Sequence, residues 1–201
     1  VNLPSVNSLN PWACTWFLIG AFTLAGLAHT LWLKTAASAR WAVPLDGGAS
    51  FRGRRLLGGN KTLRGFLVMV PAAGVAFGLM ARVIQAIRGD VTVVGLWGLS
   101  PPAYSLLGLW AGLGFMAGEL PNSFLKRQLG VAPGAAPSHP LLRPFCFLLD
   151  RIDSILGMLA AVSLFVATPW RIWAGVLLIG PGIHWLFSVL LFRLRVKTRP
   201  A

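Results

Sequence analysis

Acidic side chains are the scarcest chemistry in this chain: 201 residues carry five Asp and Glu against 18 Lys and Arg. Charged residues make up 11% and hydrophobic ones 56%, which is too little polarity to cover a soluble domain, and a mean hydropathy of +0.71 agrees. Cysteine is equally sparse. Cys14 and Cys146 begin apolar segments expected at opposite ends of the molecule, so a disulfide framework is excluded and both read as packed thiols. The apolar runs lack the alternation of a β-barrel, and a helix satisfies its own backbone in lipid without neighbouring strands. No linker is long enough to separate domains, no internal repeat occurs, and no Walker motif is present.

What the chain does have is a series of long apolar segments. Residues 12–33, 63–87, 104–125, 145–167 and 170–192 each reach the ~20 residues a helix needs to cross the hydrocarbon. The expected fold is an all-α integral membrane protein, with residues 1–201 forming one five-helix transmembrane bundle. The first segment has no basic residue before it and is long enough to span, so it is expected to stay as an anchor rather than act as a cleaved signal.

The net charge of +13 raises a nucleic-acid partner, but the placement of the charges is topological. Lys34, Arg40, Arg52, Arg54, Arg55, Lys61 and Arg64 belong to the first loop. Lys126, Arg127, Arg143 and Arg151 flank the third loop, and Arg193, Arg195, Lys197 and Arg199 form the tail. Only Arg82, Arg88 and Arg171 fall on the other side. The positive-inside rule then predicts the N-terminus outside and the C-terminus in the cytoplasm of a cell-membrane protein, with no nucleic-acid partner. Trp12, Trp16, Trp170 and Trp173 fit an outer aromatic belt, with Trp32 and Trp41 toward the inner face.

Three pairs of glycines at i, i+4 (Gly74/Gly78, Gly108/Gly112 and Gly114/Gly118) predict close backbone approach of the second and third spans to their neighbours. Pro71, Pro121 and Pro181 interrupt spans two, three and five and are expected to kink them. His29 and His184 read first as polar packing within helices, and Asp90 as a turn residue after Gly89.

Three of the five acidic residues lie inside spans. Glu119 precedes Lys126 by seven positions and Asp150 follows Arg143 by seven, so both sit about 10 Å inward of basic residues. Asp153 shares a helix face with Asp150, and Ser123 and Lys126 share one with Glu119. Ionised groups at such depth are costly, on the order of 2.5–3.5 kcal/mol at mid-bilayer, and three together repel. One compensation is internal pairing to Arg127, Arg143 or Arg151. The other is a divalent cation held by Glu119, Asp150 and Asp153: oxygen donors without His or Cys suit Mg²⁺, or Mn²⁺, rather than zinc. Mg²⁺ completes its shell with water and phosphate oxygens, which predicts a phosphate-bearing substrate.

The first loop, "PLDGGASFRGRRLLGGNKTLRGF", supplies matching cations. Gly58 and Gly59 free the backbone for close approach, while Lys61 and Arg64 stand where they can hold phosphates. Arg52, Arg54 and Arg55 are equally explained by topology and anionic lipid. Asp46 is either a further metal or substrate ligand or the cap of a turn with Gly47.

"SFLKR" followed by "LDRID" resembles the C-terminal signature of CTP:phosphatidate cytidylyltransferases. The chain length, the five spans and "PLD…GRRLLGGNKTLRGF" resemble more closely the shorter CDP-archaeol synthase branch. The resemblance covers most of the chain from Pro44 to Gly157. It implies a Mg²⁺-dependent transfer of a cytidylyl group from CTP to a membrane lipid phosphate, with release of pyrophosphate. By the matched motifs it implies Asp150 and Asp153 as metal ligands, with Ser123 and Lys126 in the substrate pocket. Lys61, Thr62 and Arg64 would match the loop motif, and these three, with Arg127 and Asn122 beside the same elements, are expected to bind substrate, while Asp150, Asp153, Glu119 and Lys126 are expected to carry the catalysis.

The chain departs from the family pattern at three points. Glu119 stands where Asp is usual, Pro121–Asn122 is unlike the familiar sequence, and no His-Gly-Gly element precedes the acidic motif, so His139 inherits no role. Three readings therefore stand side by side: a cytidylyltransferase, a small ion-coupled transporter, and an inactive relative that binds lipid or a partner. Ionisable residues gathered toward one face rather than the midplane favour the first over the second.

Overall fold

Asn10 starts the first helix. Its side-chain oxygen accepts from the otherwise orphaned N–H groups of Trp12 at 3.0 Å and Ala13 at 3.2 Å, and Pro11 pre-sets the first helical φ. In this computed structural model, which describes residues 9–135 and 140–195, α1 runs Pro11–Leu33 and is followed by a single turn, α2 (Ala36–Ala39). A short hairpin of β1 (Ser50–Phe51) and β2 (Arg54–Arg55) leads into α3 (Leu63–Arg88). The long helices α4 (Pro101–Gln128), α5 (Leu142–Ser163) and α6 (Trp170–Arg193) complete the chain. His139, Lys197 and Arg199 lie outside the described residues.

The five long helices close into a ring in which α1 packs on α3, α3 on α4, α4 on α5, α5 on α6, and α6 back on α1. Small residues set the two tightest seams. A Cβ on Gly108 of α4 would stand 2.5 Å from the Ala73 carbonyl oxygen of α3. One on Gly118 of α4 would lie 2.9 Å from the Gly157 Cα of α5. Only glycine permits such contacts, so the expected backbone approach is realised at both faces of α4. Phe17, Phe77 and Tyr104 fill the ring's interior, Phe17 meeting Phe77 edge-on at 5.3 Å and Tyr104 at 5.0 Å.

The outward faces are apolar: Leu106, Leu178 and Trp170 are 68%, 78% and 73% exposed. An apolar lateral surface of this kind belongs in lipid. Among the described residues three helices, α1, α3 and α6, are long and apolar enough to cross a membrane. α4 and α5 have spanning length at 28 and 22 residues, but glycine dilutes the first and charge the second. Trp12 and Trp16 begin α1 and Trp170 begins α6, all three exposed, as an aromatic belt requires. α3, α4 and α6 each continue through their prolines.

Two helices differ from the sequence reading by three or more residues at each end. α4 extends to both sides of 104–125, because Ser100 caps it through the Ala103 N–H and its charged last turn remains helical. α5 covers 142–163 rather than 145–167: Leu164 and Phe165 donate to carbonyls three residues back, and the winding stops ahead of Pro169.

Cys14 and Cys146 are both buried and free. Asp90 caps the short turn that follows α3 by accepting from the Thr92 N–H at 2.7 Å, the turn role expected of it.

Candidate active site

The basic ends of α1, α3, α4 and α6 and the start of α5 gather at one end of the ring, where Lys34, Arg64 and Arg195 border a cavity of about 330 Å³. A larger cavity of about 400 Å³ lies between α1 and α3 at the other end, lined by apolar side chains and Arg88, and touches none of the candidate catalytic, metal or substrate residues.

The first loop folds onto the basic end. Residues 41–45 run antiparallel to 61–64 through Leu45 N–H to Lys61 O (2.9 Å), Leu63 N–H to Val43 O (2.9 Å) and Arg64 N–H to Trp41 O (3.0 Å). This stem fixes Lys61, Thr62 and Arg64 at the mouth of α3. Above it, Asp46 organises the loop, accepting from Arg55, from the N–H of Gly48 and Leu57 at 3.1 Å each, and from that of Gly58 at 3.0 Å. Desolvation works against this charge, yet the bonds from Arg55 and from the Gly58, Gly48 and Leu57 backbone outweigh it and hold the carboxyl well below the usual range. Of the two roles left open for Asp46, both of its oxygens serve the turn. Arg54 donates to the Gln128 carbonyl and the Phe51 ring lies tilted beside that of Phe124, centroids 6.2 Å apart, so the hairpin caps the C-terminal end of α4.

Beneath the loop, polar side chains form one chain of contacts that runs from the buried Asn122, Asp153 and Ser154 to the half-buried Lys61, Glu119 and Lys126 and the exposed Asp150. Lys61 pairs with Glu119. Ser154 Oγ donates to Glu119 Oε1 at 2.8 Å and lies 3.3 Å from Asp153 Oδ1, which also accepts the Ser154 N–H at 2.6 Å. Asn122 Nδ2 then bridges Asp153 Oδ2 and Asp150 Oδ1, at 2.7 Å from each, and Lys126 pairs with Asp150. The close contact of Gly118 with Gly157 lets α4 and α5 approach near enough for these short side chains to meet.

Burial lowers the pKa of an ammonium, but Glu119, with Asp153 and Asp150 behind it, reverses this at Lys61 and raises it above its ordinary value. Lys61 and Lys126 form ion pairs with Glu119 and Asp150, lysines that the sequence reading of Arg127, Arg143 or Arg151 as the pairing groups had not included. Arg151 turns back along its own helix, donating to Phe147 O at 2.6 Å and stacking on the Phe147 ring. Arg127 is buried beside Gly58, its Nε and Nη1 without a hydrogen-bond partner. Ser123 is buried one turn beyond Glu119.

Among the described residues no three of His, Cys, Asp or Glu stand close enough to hold one ion. The carboxylates divide into a pair, Asp150 and Asp153, that share one amide, and Glu119, held apart by Lys61 and Ser154. Two features escaped the sequence reading. Ser154 links Glu119 to Asp153, and its only signal is its position directly after the aspartate; Asn122 bridges the aspartates, although its proximity to the motif had suggested substrate contact.

Residues 15–200 match the profile of a family described as CarS-like, CDP-archaeol synthase. The chain belongs to this family. The CDP-archaeol synthase of Halobacterium salinarum is 34% identical over 167 residues, 78% of this chain and 82% of its own. That of Methanopyrus kandleri is 32% identical over 191 residues, 92% of this chain and 90% of its own. A solved structure described as an intramembrane enzyme for archaeal membrane lipids biosynthesis superposes with a TM-score of 0.50 at 24% identity. It covers 88% of this chain and 92% of that one, so the fold is shared.

Proposed function

We propose that this CarS-like protein transfers the cytidylyl group of CTP to the phosphate of a membrane lipid, forming a CDP-activated lipid and releasing pyrophosphate. Family membership makes it a CTP-dependent cytidylyltransferase acting on a lipid phosphate. The observation that carries the finer reading is the polar chain from Lys61 to Lys126, which sets carboxylates and cations side by side at the basic end of a lipid-facing ring. Five crossings with the N-terminus outside would put that end at the cytoplasmic face of the cell membrane, where CTP is available and the lipid phosphate lies at the interface. The cluster's position at one end, rather than at mid-ring, supports an enzyme over a transporter.

The lipid phosphate oxygen attacks the α-phosphorus in line, pyrophosphate departs, and no covalent intermediate forms. Lys126, Arg127, Lys61 and Arg64 neutralise the phosphates, and Ser123 and Thr62 line the approach. Asp150 and Asp153, whose oxygens meet at a single amide, would hold a divalent cation, Mg²⁺ or Mn²⁺, and Glu119 would be free to join them only without its pairing to Lys61. When bound, the ion would offset charge on the phosphoryl oxygens. The lipid enters sideways between helices, its tails against exposed apolar side chains such as Phe145 and Leu148.

The test is purified protein with CTP, Mg²⁺ and a panel of ester-linked and ether-linked lipid phosphates, with Asp150→Asn as the control. Lipid-dependent pyrophosphate release that the control loses is the expected result. No turnover across the panel contradicts the reading and leaves a binding relative of the family.

A further inference from the structure

We infer that the cavity between α1 and α3, at the end of the ring away from the carboxylates, binds one anionic phospholipid, its hydrocarbon chain in the groove and its phosphate on Arg88. The cavity measures about 400 Å³. Met80, which packs on Gly20 of α1, closes it toward the middle of the ring. Phe17 and Leu96 form a buried floor, and Trp16 and Ile87 stand exposed at the rim. Such walls offer water few hydrogen-bond partners, and the lateral surface into which the groove is cut faces lipid. Its filling is therefore hydrocarbon.

The head of the occupant follows from charge. Arg88, in the last turn of α3, is the one charged residue in the lining and is exposed. Among the described residues no carboxylate stands within ion-pair distance of it. Asp90, the nearest acid in the chain, accepts at Oδ1 from the Thr92 N–H and hydroxyl. Trp12 and Trp16 begin α1 at this same end, which places the rim at the depth where indoles and lipid headgroups share the interface. A guanidinium there offers a phosphate two parallel N–H bonds. An apolar groove with an unpaired cation at its interfacial rim selects a lipid whose headgroup carries net negative charge.

This lipid is not the acceptor. Arg64 and Arg88 lie near opposite ends of α3, about 36 Å apart in helical rise, which exceeds the ~30 Å of hydrocarbon between the two headgroup layers. A phosphate on Arg88 thus belongs to the leaflet opposite the one whose phosphates can meet Lys61 and Lys126. Seated there, the lipid fills the gap between two neighbouring helices of the ring, so its binding stabilises the fold.

The experiment takes the full-length protein, stripped of lipid in detergent, and adds back phosphatidylglycerol, phosphatidylcholine or free glycerol phosphate. Native mass spectrometry reads bound lipid and thermal melting reads folding. Arg88→Gln, a change on an exposed side chain, is expected to melt as wild type without lipid and to hold one phosphatidylglycerol about tenfold more weakly, with phosphatidylcholine little changed. Arg88→Lys should keep part of that affinity. Ala13→Trp, which fills the groove from α1, should weaken retention of both lipids. Each comparison with wild type isolates this site from the basic end of the ring, whose residues are untouched. Wild-type phosphatidylglycerol retention in Arg88→Gln or in folded Ala13→Trp, equal loss of both lipids in Arg88→Gln, Arg88-dependent stabilisation by glycerol phosphate alone, or a lipid-free dimer that seats a second copy in the groove would each overturn the inference. Neither readout involves CTP, so failure here leaves cytidylyl transfer unaffected.

Discussion

Lys61 and Glu119, separated by 58 positions in the chain, form an ion pair that ties the first loop to α4. The pair is the outer link of a continuous polar chain that runs through Ser154, Asp153, Asn122 and Asp150 to Lys126, joining the first loop, α4 and α5 at one end of the ring. The loop and the helix cluster are thus one electrostatic unit.

Breaking that pair from either side should cost more than removing it whole. Both side chains are about one-fifth exposed, 20% and 21%, so either charge left alone is poorly solvated. Lys61→Met or Glu119→Gln singly should lower stability by roughly 2–4 kcal/mol, with the double variant recovering about 1–3 kcal/mol of the summed loss. Thermal melting of the four proteins in one detergent checks this; strict additivity would mean that the two groups are not coupled.

The α4–α5 seam predicts a steep penalty for a single methyl group. In Gly118→Ala the new Cβ would face the Asp153 carbonyl oxygen at 2.5 Å, so the helices must separate by overpacking strain of about 1–3 kcal/mol and pull Asn122 from the aspartates. Gly182→Ala on α6 opens onto free space and should behave as wild type. The expected outcome is a lower melting temperature and lost activity in the first variant only, measured on the same preparation.

Much of this was legible in the sequence. The apolar runs locate the long helices, and the i, i+4 glycines mark both faces of α4 that pack closely, because those signals are local. The acidic groups inside the apolar runs of α4 and α5 stand out for the same reason. What the sequence could not supply is partner choice. Lys61 reaches Glu119 only because residues 41–45 pair with 61–64, and Ser154 reaches it only because Gly118 and Gly157 touch. A hydrophobic window likewise carries α5 past Ser163, since nothing in hydropathy records the tightening of its last turn ahead of Pro169.

The first loop should confer an acid-sensitive part of the stability. The Asp46 carboxyl is held below its ordinary range, so its contribution is complete above the unfolded-state pKa and disappears as pH falls through the folded one. Asp46→Asn should therefore melt below wild type at neutral pH, with the gap closing on acidification. A gap that is constant or widens at low pH contradicts the role assigned to Asp46.

Arg127 should trade stability for substrate. Its guanidinium is buried with Nε and Nη1 unpaired, a cost that a bound phosphate would relieve. Arg127→Met is expected to melt at or above the wild-type temperature while raising the KM for CTP by about tenfold, the effect of losing one charge-assisted contact. A large drop in melting temperature with KM unchanged would make Arg127 a structural residue.

The most direct measurement follows the label from two forms of CTP, one carrying ³²P at the α position and one at γ, incubated with the protein, Mg²⁺ and a lipid phosphate. The α label should pass into the lipid fraction and the γ label into pyrophosphate, with both transfers abolished in Asp150→Asn. Label from the γ position in the lipid, or from neither, would contradict cytidylyl transfer at this cluster.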